Sequence, residues 1–352
     1  MGISSMKAAR YYDRNDIRVE ETSVPPVGKK QVKIEVKYVG ICAADVHEYL
    51  HGPILIPMKH PYLWNGHHGV TTMGREFSGV VVELGDDVKR TDIQIGDRVV
   101  VEPLVRNQDK SNLAEPIGCI GLSCNGAFAK YVVVENYMVH KMPDAVTFEQ
   151  GALVESAAVA VHAVKSSNLQ PEETCVIFGA GPIGLLCLQS ALAFGVTRII
   201  VVDIVDKRLE KARELGATWV INGKDTNICQ QIKDYTNGAG AHVYFDAAGT
   251  ESTFATGISC LRRGGRAILI AVFAKPLAFD AMDIVTREIS IRGISDYQNV
   301  FGEAIQLINN KNMDVERIVS KKIKLDDIVK DGFDALSSDL SHIKILIDIG
   351  SD

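Results

Sequence analysis

Six consecutive residues have the types and spacing to hold a diphosphate: Gly179-Ala180-Gly181-Pro182-Ile183-Gly184, a G-x-G-x-x-G run. The first glycine permits a tight turn, the second lets backbone approach a pyrophosphate, and the third lets a helix pack closely on a strand. The run is short and weak by itself. Here the strand-like CVIF precedes it and the helix-like LLCLQSALAF follows, which is the context the chemistry needs. The helix start then offers open N–H groups and a positive dipole end to the anion. The next strand, RIIVVD, ends at Asp203. A carboxylate there accepts hydrogen bonds from a ribose 2′-hydroxyl and repels a 2′-phosphate, so NAD(H) is expected over NADP(H). Arg208 lies close by and either weakens that preference or flanks the adenine. If the glycines served only a βα turn and Asp203 only a helix cap, strand, glycines, helix and acid would coincide by accident. Asp246, in FDAAG, either borders the cofactor crevice or is a strand-end turn residue; both readings stand.

The elements around this loop follow from periodicity. Residues 7 to about 155 read as β-rich: QVKIEVKYVG alternates apolar and polar residues, and FSGVVVELG, DRVVVEP and AKYVVVE are short β-branched runs. After Glu155 the pattern changes. VESAAVAVHAVKSS and DKRLEKARELGA read as helices, and TCVIFG, RIIVVD, WVIN, HVYFDAAG and GGRAILIAV as strands between helical stretches. That alternation predicts an α/β, doubly wound parallel sheet. The tail from about 300, with the helix FGEAIQLINN and the strand HIKILIDI, is expected to return to the β-rich part. The expected domains are therefore 1–158 completed by 300–352, and 159–299.

The 352 residues suit two domains, and 46% hydrophobic with 23% charged residues gives material for two real cores. A net charge of −6 argues against sequence-independent binding to nucleic acid or to an anionic membrane surface. No apolar run reaches membrane-spanning length, and the start MGISSMKAARYY lacks the pattern of a secretory leader. The seven cysteines (42, 119, 124, 175, 187, 229 and 260) show no paired spacing, so reduced thiols and a cytoplasmic location are expected.

Six stretches carry a resemblance that covers nearly the whole chain: GICAADVHEYLHGPI (40–54), MGREFSGVVVELG (73–85), IGDRVVVEP (95–103), LVESAAVAVHAV (153–164), FGAGPIGLL (178–186) and AVFAKPLAFDAMD (271–283). Together they resemble the medium-chain dehydrogenase/reductase family of zinc-type alcohol dehydrogenases. The run HEYLHGPI looks like its butanediol dehydrogenase branch, with sorbitol dehydrogenases nearby. The resemblance implies a GroES-like catalytic domain, a Rossmann domain, and one catalytic zinc whose ligand positions fall on Cys42, Arg75, Glu76 and Glu155. It also implies assembly as a homodimer or homotetramer, for which SIRGIS near the end of the nucleotide sheet could supply a pairing edge.

Three departures bear on the chemistry. Arginine has no lone pair to give at neutral pH, so Arg75 cannot be a ligand where the family has histidine. Cys42, Glu76 and Glu155 remain as a possible metal set, with His47, His67 or His68 as substitutes. Alternatively the Arg75 guanidinium takes the cation's place, pairs with Glu76 and Glu155, and donates to a developing alkoxide. Ala44 stands where relatives have a relay hydroxyl, which leaves His47 or Asp45 to pass a proton through water. The lobe PLVRNQDKSNLAEPIG lacks the four cysteines of a structural zinc, so none is expected, and Cys119 and Cys124 read as packing residues.

The expected activity is NAD(H)-dependent interconversion of a secondary alcohol or vicinal diol, of the 2,3-butanediol type, with its ketone. The catalytic candidates are Cys42, Glu76, Glu155, His47 and Arg75, and the only expected partner besides a second copy is the small-molecule substrate. Two alternatives stay open: an NAD(H)-binding protein with an impaired metal site, and a zinc-free reductase of the same fold.

Overall fold

A computed structural model of the chain describes residues 5–62, 65–105 and 118–350. They form two compact units, one running to Glu155 and resuming at Val319, the other spanning Ser156–Ile318.

The first unit is built on a mixed sheet of seven strands. Its path runs Val139–Lys141, Arg98–Val101, Glu76–Leu84, Gln31–Gly40, Lys344–Asp348, Val319–Lys324, with Tyr131–Glu135 also paired to Gln31–Gly40. The alternation in QVKIEVKYVG puts Val32, Ile34 and Val36 on the inside, fully buried with Phe77, Val99, Ile345 and Ile347. Each such side chain contributes roughly 1.5–3 kcal/mol when taken from water. A smaller sheet of Asp16–Ser23, Ser5–Asp13 and Thr71–Thr72 lies in the same unit. This is the GroES-like architecture. The lobe expected to lack a structural zinc falls mostly at 106–117, outside the described residues.

The second unit holds six parallel strands in the order Trp219–Asn222, Arg198–Asp203, Thr174–Phe178, Ala241–Asp246, Leu261–Leu269, Ser290–Gly293. The chain starts at the middle strand and winds first one way, then the other, which is the Rossmann order. Val176, Phe178, Ile200, Val202 and Tyr244 form its core.

Two expectations need correction. The tail returns to the first unit at 319 rather than 300. The helix Phe301–Asn309 buries Phe301, Ala304, Ile305 and Ile308 within the second unit. The Asp314 N–H then donates to Gln189 Oε1 at 2.7 Å, and the turn Val315–Ile318 packs against the helix Pro182–Ala193. The cysteines are not all free thiols either: Cys229 and Cys260 form a disulfide, with Cα atoms 5.0 Å apart. Cys229 lies in the helix Ile228–Tyr235 and Cys260 ends the helix Glu251–Cys260. Packing of two helices joins them, which sequence spacing does not reveal.

Candidate active site

The strand Thr174–Phe178, buried throughout, ends on Gly179, whose φ of +98° makes the turn. The chain then enters the helix Pro182–Ala193, with Gly181 at its N-cap and proline at its first position, where the missing N–H costs nothing. Gly184 has no alternative, because a Cβ there would sit 1.8 Å from the Gly179 carbonyl oxygen. Asp203 accepts the Ala180 N–H on Oδ2 at 2.6 Å and the Val205 N–H on Oδ1 at 2.8 Å. The acid therefore ties the loop to the end of its neighbouring strand. A carboxylate has about four lone-pair sites, so two backbone donors leave capacity for ribose hydroxyls. Arg208 lies over the loop, its Nη1 3.8 Å from where a Cβ on Gly181 would stand. Asp246 is fully buried and accepts from Ala248 N–H at 3.0 Å, from Gly249 N–H at 2.9 Å and from the Tyr244 hydroxyl. It is a strand-end turn residue.

In the first unit, Gly40 is in register with Glu76 on one side and Leu346 on the other. This brings the Lys344 ammonium, two positions along the last strand, onto Glu76 Oε2 as an ion pair. The Lys344 Nζ also donates to the Ile41 carbonyl at 3.2 Å. Both residues are out of water, with 2% and 1% of their surface exposed. Gly40 is what makes room, since a Cβ there would fall 2.6 Å from Glu76 Oε2 and 3.2 Å from Lys344 Cε. Burial pulls the Lys344 ammonium down, but its ion-pair partner Glu76 outweighs this and holds the group above its ordinary range.

Cys42 precedes the helix Ala43–His51, and Asp45 Oδ2 accepts the Cys42 N–H at 3.0 Å. Asp45 is fully buried. Its Oδ1 lies 3.6 Å from Arg75 Nη2, within ion-pair range but beyond a hydrogen bond. Arg75 Nη1 donates to Cys119 Sγ at 3.7 Å. Arg75 Nε and Nη2 and Asp45 Oδ1 are shut from solvent and make no hydrogen bond. Burial opposes the Arg75 charge, yet Cys119, Cys42, Asp45 and Glu155 together hold the guanidinium well above its usual range. Burial pushes the Cys42 thiol far up; Arg75 opposes this, while Glu76, Asp45 and Glu155 reinforce it. Burial likewise raises the Asp45 carboxyl, against the pull of Arg75.

The structure thus gathers Cys42, Arg75, Glu76 and Glu155 into one electrostatic cluster. It changes one pairing: Glu76 takes Lys344, and the ion pair of Arg75 is with Asp45. His47 packs its ring against His51, with centroids 5.0 Å apart. His67 Nε2 bonds Thr71 Oγ1 at 2.8 Å, and His68 Nδ1 bonds the Gly66 carbonyl at 3.1 Å. Lys344 was missed from the sequence, although a lysine inside the apolar run HIKILIDI was a signal that it needed a buried partner. Cys119, read as packing, touches the guanidinium instead.

These residues do not fit a resident zinc ion. One expected donor is a fixed cation, and another is committed to Lys344. Among the described residues no group of three or more His, Cys, Asp and Glu side chains is placed to hold a metal. Two unit charges 4 Å apart repel by about 4 kcal/mol at an effective dielectric of 20, and a divalent ion beside a guanidinium doubles that.

Residues 28–144 match the family described as alcohol dehydrogenase GroES-like domain, and residues 182–310 match the one described as zinc-binding dehydrogenase. The (R,R)-butanediol dehydrogenase of Bacillus subtilis is 39% identical over 346 residues, covering 97% of this chain and 99% of that protein. The chain belongs to the zinc-type alcohol dehydrogenase family. Among solved structures, 2R,3R-butanediol dehydrogenase from Bacillus subtilis superposes with a TM-score of 0.93 at 38% identity, covering 98% of this chain and 99% of that one. An Escherichia coli CFT073 alcohol dehydrogenase complexed with NADH superposes with a TM-score of 0.88 at 26% identity, covering 98% and 99%. Within this zinc-type alcohol dehydrogenase, then, the glycine turn expected to hold a dinucleotide is formed, and Arg75 stands where a metal ligand was expected.

Proposed function

We propose that this chain is an NAD(H)-dependent dehydrogenase that interconverts a secondary alcohol or vicinal diol with its ketone, of the 2,3-butanediol and acetoin class. Similarity over almost the full length to a butanediol dehydrogenase supports the reaction class. The observation that carries the cofactor assignment is the Asp203 carboxylate, bonded to Ala180 N–H at the mouth of the glycine loop, where a 2′-phosphate would meet a negative charge. The Gly179–Gly184 loop binds the diphosphate, Asp203 the ribose hydroxyls, and Arg208 flanks the nucleotide. Each oxidation moves a hydride, with its electron pair, from the carbinol carbon to NAD⁺; the hydroxyl proton passes to solvent and the C=O bond forms. Cys42, Arg75, Glu76, Glu155 and His47 are the groups assigned to the alcohol side.

The strand Ser290–Gly293 ends the sheet with all four residues exposed, and Met282 and Val285 in the preceding helix are exposed too. That unpaired edge supports two-fold pairing with a second copy.

The test is initial-rate measurement with NAD and with NADP against diols, polyols and simple alcohols. Turnover with NAD and a vicinal diol is expected. Arg75 favours one second reading, an NAD(H)-binding protein without dehydrogenase activity. Tight NADH binding with no turnover across the panel would establish that reading in place of the first.

A further inference from the structure

We infer that this chain works without a catalytic metal, the Arg75 guanidinium standing as the fixed cation of the alcohol site, an inference that rests on the dehydrogenase reading. Three observations carry it. The guanidinium is enclosed with Cys119, Asp45, Cys42 and Glu155 around it, so it occupies the field that a metal would need. Glu76 is not available as a donor, because Lys344 and the space left by Gly40 lock it into a buried ion pair. The polar edge of Arg75 is under-used: Nε and Nη2, on one edge of the planar guanidinium, make no hydrogen bond, and Nη2 lies 3.6 Å from Asp45 Oδ1, too far for one.

Arg75 and Lys344 already set two fixed positive charges against the carboxylates of Asp45 and Glu76, without a metal. The guanidinium can donate to an alcohol or carbonyl oxygen and stabilise charge that grows there, and its planar, fixed set of donors suits a ligand with two neighbouring oxygens. A vicinal diol or hydroxyketone offers two acceptor oxygens to such an edge where a lone hydroxyl offers one.

The experiment compares the whole protein with Arg75→His, Arg75→Lys and Arg75→Gln, each purified with zinc supplied and then dialysed. Zinc per chain is read by elemental analysis, NADH affinity by titration, and kcat and KM for a vicinal diol with and without chelator. The expected wild-type result is zinc far below one per chain and turnover indifferent to chelator. Arg75→His should take up close to one zinc per chain, held by the new imidazole with Cys42 and Glu155 and without Glu76, with NADH affinity unmoved. Arg75→Gln should lose about 100-fold or more in kcat at unchanged NADH affinity, and Arg75→Lys should recover part of it. One zinc per wild-type chain, with activity abolished on its removal, overturns the inference while leaving the dehydrogenase reading intact. An Arg75→His protein that folds and binds NADH yet takes no zinc also overturns it, since Arg75 would then not be what displaces the metal. A zinc-free wild type that binds NADH but turns nothing over supports the absence of metal and sinks the dehydrogenase reading instead.

Discussion

Lys344→Met isolates the interaction that sets the altered site apart. Methionine keeps most of the stem's volume and flexibility while removing the charge. The Glu76 carboxylate, 1% exposed, then loses its counter-charge, and the Ile41 carbonyl loses its donor from Nζ. Removing one partner of a buried pair costs about 3–5 kcal/mol, and the lost backbone bond about 1 kcal/mol more. A change of about 4–6 kcal/mol is a large part of the roughly 5–15 kcal/mol that holds a domain together. Replacing both charges, as in the double variant Glu76→Leu/Lys344→Met, removes the uncompensated charge, so most of the loss should return. Urea unfolding of wild type, both single variants and the double variant, followed by circular dichroism, gives the coupling energy. We expect coupling of at least about 3 kcal/mol. If Lys344→Met unfolds within about 1 kcal/mol of wild type, or the double variant is as unstable as the two singles summed, the buried pair does not hold this sheet as described.

Three further outcomes follow from the second unit. Gly184→Ala should abolish NADH binding or the fold of this unit, because its Cβ would lie 1.8 Å from the Gly179 carbonyl; normal affinity by titration would refute the loop geometry. Glu173 accepts from Gln170 N–H at 3.0 Å and from Arg266; burial raises its carboxyl, but these donors outweigh it and hold it below the usual range. Its contribution is therefore present above the unfolded value of about 4.3 and fades as pH falls through the lower folded value. Glu173→Gln should cost about 1–2 kcal/mol at neutral pH and nothing once the acid is protonated, checked by thermal unfolding across an acid series. Ile291→Pro, in the exposed end strand, should shift sedimentation toward the monomer; an unchanged sedimentation coefficient would remove that edge as the pairing surface.

The strand–glycine–helix turn was legible in the sequence because its parts are neighbours along the chain: strand, glycines, helix and, one strand on, Asp203. Period-two and helical patterns likewise gave the two architectures. What stayed hidden depends on distant segments meeting. Glu76 and Lys344 are joined only because the last strand inserts beside Gln31–Gly40 in a register that spacing does not specify. The same holds for the disulfide between two packed helices and for the contact of Cys119 with Arg75. The helix FGEAIQLINN formed as expected, but it and the turn to residue 318 joined the second unit, because burial of Phe301, Ile305 and Ile318 favours that core and no local pattern says which core an amphipathic helix will choose.

Hydride transfer itself can be followed with butane-2,3-diol deuterated at its carbinol carbons. Incubation with the protein and NAD⁺, then mass analysis of the nucleotide, should yield reduced cofactor one mass unit heavier than ordinary NADH, with deuterium in place of one hydrogen. Unlabelled NADH, or none at all from folded protein that binds the nucleotide, would contradict the account.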